Sequence, residues 1–81
     1  MNEIILLRSK LADTKKRFEQ SKIKADNYII ILREIIDPYV DDFTELDLNR
    51  AYLTLQDFIT MQKEAKELKD KIAKLEKALN G

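Results

Sequence analysis

The sequence predicts an all-α fold: two long helices in an antiparallel, coiled-coil-like hairpin, dimerising into a four-helix bundle. Three observations predict it. A seven-residue register places Ile4, Leu11, Phe18, Ala25 and Leu32 at position a, and Leu7, Thr14, Ser21, Tyr28 and Ile35 at position d. A second register places Ala51, Phe58, Ala65, Ile72 and Leu79 at a, and Thr54, Met61, Leu68 and Leu75 at d. The only proline, Pro38, lies between them. A sustained heptad of this kind is the signature of amphipathic helices zipped along one seam.

Helix one is expected over about 3–36, a stretch without Gly or Pro and with several strong helix formers. Asp37-Pro38 ends it, because a residue before proline is pushed out of the α region. Asp37 can also cap a short turn with Pro38 at its first position. An acidic turn is expected over 37–44. Helix two is expected over about 45–79. Thr44 fits the N-cap of a capping box with Asp47 three residues on, and Phe43 and Leu48 occupy the two positions of a hydrophobic staple. Asn80-Gly81 is the expected stop.

Rods of nearly equal length joined by a short link favour antiparallel neighbours. Folding back pairs Leu11 with Leu75, Phe18 with Leu68, Ser21 with Ala65, Ala25 with Met61 and Tyr28 with Phe58. Thr14 facing Ile72 and Leu32 facing Thr54 are the mixed polar pairs.

At 81 residues the chain is expected to be a single helical-hairpin domain. Two helices share little interior, so a partner is expected on energetic grounds. The sequence also carries more apolar surface than one seam needs. Leu48, Tyr52, Leu55 and Ile59 are spaced 4, 3 and 4, a second seam on one side of helix two. Ile29 and Ile36 flank it from helix one, with further apolar residues at Ile30 and Ile31. Two apolar seams on one helix point to a bundle of three or more helices. The favoured occupant is a second copy, closing a four-helix core, with a dimer preferred. A groove for a foreign helix comes next, and plain exposure is disfavoured because a large apolar patch invites aggregation.

Fifteen basic and fifteen acidic residues give zero net charge, so no global attraction to nucleic acid is expected. Locally, Arg8, Lys10, Lys15, Lys16, Arg17, Lys22 and Lys24 face only Asp13 and Glu19 over the same stretch. Six of these flank the seam at e and g. They are read first as a solvated flank pairing with acids on helix two: Arg8 with Glu76, and Arg17 and Lys24 toward Glu64 and Asp57. Weak phosphate contacts by Lys15, Arg17, Lys22 and Lys24 are the alternative, on the analogy of basic helical hairpins that grip tRNA, but no aromatic residues interleave for base stacking. The acids of the connection, Asp37, Asp41, Asp42, Glu45 and Asp47, are read first as caps, with an acidic docking tip for a basic partner as the alternative. They lack the alternation and central glycine of an EF-hand, so no metal site is expected.

No catalytic residue and no cofactor is expected. The chain has no His and no Cys, and its one Gly is Gly81. This excludes Ser-His and Cys-His arrangements and a glycine-rich phosphate cradle. The longest apolar run, Tyr28 to Leu32, is too short to span a bilayer, and Ile4 to Leu7 is too short for a signal-peptide core. A cytoplasmic protein without membrane contact is the expectation. The function expected is a structural or adaptor module for protein–protein interaction. The alternatives are a small regulatory inhibitor of a protein partner, of phage or antitoxin type, and a basic hairpin binding nucleic acid.

Overall fold

The computed structural model describes residues 2–80, so Gly81 of the expected Asn80-Gly81 stop lies outside the described residues. Helix α1 spans Asn2–Ile35, a 3-10 turn spans Phe43–Glu45, and helix α2 spans Leu48–Asn80. The described residues contain no strand. The two helices pack side by side in a rod of 64 × 16 × 15 Å. The all-α antiparallel hairpin is therefore the fold.

The seam is the one the heptads mark. From Leu7 to Ile35 and from Ala51 to Leu79, every a and d residue is buried or half-buried. The Tyr28 and Phe58 rings stack across it, with centroids 5.4 Å apart and planes inclined by 21°. That contact sets the level of one helix against the other. Ile4 is the exception, at 50% exposed. In this register it stands level with a position past Asn80, so no described residue of α2 covers it.

The polar seam positions are accommodated within their own helices. Thr14 is the most buried of the described residues, 3% exposed. Its hydroxyl donates to the Lys10 carbonyl at 2.6 Å. Ser21 donates to the Phe18 carbonyl at 2.6 Å, and Thr54 to the Arg50 carbonyl at 2.9 Å. Each hydroxyl thus bonds back one turn and asks nothing of the facing helix. No buried side-chain N or O among the described residues lacks a partner.

The connection is built from short acidic turns. The Asp37 carboxylate accepts from the Tyr39 amide at 2.9 Å, and the Val40 amide donates to the Asp37 carbonyl at 3.3 Å. Asp followed by Pro is a favoured start for such a turn. The Asp42 carboxylate then accepts both the amide and the hydroxyl of Thr44, at 3.0 and 2.6 Å, capping the 3-10 turn.

Helix two starts three residues later than the capping-box reading expects. Thr44 is not its N-cap. Asp47 is: its carboxylate accepts from the Arg50 amide at 3.1 Å, and the Ala51 amide donates to its carbonyl at 3.1 Å. The Thr44 hydroxyl is already committed to Asp42, and aspartate caps at least as well as threonine. The staple does not form either, since Phe43 and Leu48 are 76% and 56% exposed. The connection accordingly covers 36–47 rather than 37–44.

Cysteines placed at Leu11 and Leu75 should form a disulfide within one chain, read by non-reducing electrophoresis. Crosslinks formed only between chains would mean that the hairpin is swapped or open.

The two Thr44 hydrogen bonds hold the Asp42 carboxyl below its ordinary value of 3.8. Because the folded value is depressed, this turn is fully closed above the ordinary value and loosens as pH falls through and below it. An NMR titration of the Asp42 side-chain carboxyl should give a midpoint under 3.8. Thr44→Val should raise that midpoint.

Candidate interaction surface

In an antiparallel pair, e positions of one helix neighbour e positions of the other, and g neighbours g. One ion pair fixes which side is which. Lys15 Nζ lies 3.3 Å from Glu76 Oε1, and both residues are at e. The expected partner of Glu76 was Arg8. Helical side chains lean toward their own N-terminus, so Lys15 and Glu76 lean toward each other while Arg8 leans away.

Following this flank toward the turn, charge gives way to apolar residues. Lys22 comes next on α1, bonded to Glu19 at 3.1 Å and lying 5.3 Å from the Phe18 ring centroid. Its ammonium caps the ring face that borders the seam. A shallow groove of about 240 Å³ includes Lys22, Phe58 and Gln62 in its lining. Beyond it stand Ile29 on α1, Ile36 just past the end of α1, and Leu48 and Leu55 on α2, all at e. Tyr52 and Ile59 adjoin them at b. The six are exposed: Ile29 37%, Ile36 52%, Leu48 56%, Tyr52 61%, Leu55 46% and Ile59 57%. The hairpin's own seam therefore does not absorb them. Leu55, Phe58, Ile59 and Gln62 line a second small groove, which joins this stripe to the seam edge. The Gln56 amide donates to the Tyr52 hydroxyl at 2.9 Å and steadies that ring.

The opposite flank is polar. Arg17, Lys24, Glu64 and Lys71 line an open groove of about 460 Å³. Lys24 also shares a groove with Asp57 and Glu64. Arg17 pairs within its own helix, with Asp13 at 3.2 Å. The four basic candidates for phosphate contact are thus divided, Lys15 and Lys22 on one flank and Arg17 and Lys24 on the other. Three of the four already hold a carboxylate.

The sequence reading stopped the stripe at Ile59 and missed Gln62, Lys66 and Lys69. The signal was present, because these residues continue the same spacing of three and four along α2. Their polarity hid them from a search for apolar positions. In the connection, Asp37, Asp42 and Asp47 each cap a local turn.

No helix among the described residues is long and apolar enough to cross a membrane. Comparison with family models, with curated proteins and with solved structures finds no match, so any functional reading rests on this surface.

The split of the basic side chains, with three of four paired, predicts only weak binding to RNA or duplex DNA. Fluorescence anisotropy should show no sequence preference and complete loss of binding by ~0.15 M salt. Retention at ~0.3 M salt would instead establish a nucleic-acid interface.

Proposed function

We propose that the chain is a structural or adaptor module for protein–protein interaction, which self-associates through the flank formed by Ile29, Ile36, Leu48, Tyr52, Leu55 and Ile59. Two hairpins joined there make a four-helix core in their turn-proximal halves. The terminal halves remain as two-helix arms.

The observation that carries this reading is the exposure of all six side chains on one flank of a hairpin whose own core is slight. Only Thr14, Ile35, Ala51 and Met61 are buried among the described residues, and none is completely enclosed. Burying apolar surface contributes about 25 cal/mol per Å². A second hairpin therefore supplies the burial that one hairpin lacks. The arrangement follows ordinary bundle packing, in which each helix buries an apolar stripe wider than a single seam.

Leu55→Glu tests this directly, because it would bury an unpaired carboxylate in the joint at a cost of several kcal/mol. The outward change Lys74→Glu serves as control. Sedimentation equilibrium should give a dimer for the parent and for Lys74→Glu, and a monomer for Leu55→Glu at ~10 µM. A monomeric parent would transfer the stripe to a foreign protein, the regulatory-inhibitor alternative. A Leu55→Glu chain that still dimerises would remove the stripe from the joint.

A further inference from the structure

The stripe has a symmetry that bears on how two copies meet. Its intervals of 4, 3 and 4 read the same in both directions. Run antiparallel against itself, α2 sets Leu48 opposite Ile59 and Tyr52 opposite Leu55, a large ring against a smaller side chain. Ile29 and Ile36 likewise exchange places. The centre of the α2 stripe lies between Leu53 and Thr54, and the centre of the Ile29–Ile36 pair between Leu32 and Arg33. Counted from the stacked Tyr28 and Phe58, each centre is four and a half residues toward the turn. The two centres are therefore level, and one two-fold axis across the rod serves both helices.

Charge distinguishes this arrangement from its rival, in which both turns share one end. The connection carries Asp37, Asp41, Asp42, Glu45 and Asp47 with no base among them. Shared ends would set ten carboxylates together and would also oppose Lys66 and Lys69 to the basic flank of the partner's α1. Opposite ends bring unlike charges together. At ~1.5 Å per residue, Asn2 lies about 46 Å from the axis, leaving about 18 Å of the 64 Å rod between the axis and the tip. On the other side of the axis, Lys66 lies about 19 Å away and Lys69 about 23 Å away by the same rise. The tip of one hairpin thus ends level with Lys66 of the other and about 5 Å short of Lys69, whose side chain leans back toward it. Both are exposed, both continue the stripe, and neither has an ion pair among the described residues.

We infer that the dimer is a two-fold crossing of hairpins with their turns at opposite ends, the acidic turn of each copy seated on Lys66 and Lys69 of the other. This rests on the self-association reading above and fixes its geometry. Like charges at a wrong docking are what exclude the rival.

Two full-length single-cysteine variants, Leu48→Cys and a mass-tagged Ile59→Cys, are mixed at a concentration where the parent sediments as a dimer, then oxidised. The expected product is the mixed Leu48–Ile59 disulfide. It should exceed the yield from Leu48→Cys mixed with tagged Ile36→Cys, the pair that shared ends would bring level. Dominance of the Leu48–Ile36 product in a sample that is dimeric and sensitive to Leu55→Glu would overturn the orientation and leave self-association standing. A monomeric parent, or a dimer insensitive to Leu55→Glu, would overturn both. The double change Lys66→Glu with Lys69→Glu should weaken the parent dimer about tenfold at low salt and less at high salt. An unchanged dissociation constant would remove the turn from that seat.

Discussion

The level at which the two helices meet governs everything else in this molecule. It is set by an aromatic contact close to the turn, Tyr28 on Phe58, and propagated outward by the heptads. Because the seam repeats every seven residues in both helices, a correct level at one layer makes every later layer correct. It also decides what each flank presents. The e positions of the two helices fall side by side, so the Lys15–Glu76 pair and the apolar stripe lie on one continuous face. A slip of one heptad would keep the seam roughly apolar but separate Tyr28 from Phe58 and Lys15 from Glu76.

The seam tolerates more polarity than its burial suggests. Thr14, Ser21 and Thr54 occupy positions that an apolar seam would give to Leu or Ile. Each turns its hydroxyl onto a carbonyl of the preceding turn. An unmet hydroxyl at Thr14 would cost about 1–3 kcal/mol. Satisfied locally, it leaves a small side chain where Ile72 faces it. Such layers contribute little apolar area. The molecule thus combines a thin internal seam with a rich external stripe, and the imbalance between them is its most informative property.

Most of the fold was legible in the sequence, because helix, seam and pairing all follow from one period. The Tyr28–Phe58 stack was readable from the registers and a short link alone. The start of α2 was not. Thr44 and Asp47 satisfy a capping pattern, yet Asp42 competes for the same threonine, and the pattern is blind to a carboxylate two residues upstream. The partner of Glu76 was missed for a related reason: level alone favours Arg8, whereas side-chain lean favours Lys15. On the surface, the apolar part of the stripe was readable as a second seam. Its continuation through Gln62, Lys66 and Lys69 was hidden by polarity, though not by spacing. Function was hardly legible at all, since the chain carries no residue motif that names a reaction or a ligand and an apolar stripe does not name its occupant.

The hydrogen bonds of the connection span only two to four residues: Ile36 to Leu32, Asp37 to Tyr39 and Val40, Asp42 to Thr44 and Glu45, Asp47 to Arg50 and Ala51. None waits for a distant segment to arrive. Each seam layer then closes on the layer before it, so the loop that must be shut at any step is already short. This implies a zipper in the mechanical sense. Contact order is low near the turn and grows layer by layer toward the ends, which favours rapid assembly from the turn outward. Tension applied across the two chain ends would meet the layers in the reverse order, peeling Leu7 from Leu79 first and reaching the stacked rings late.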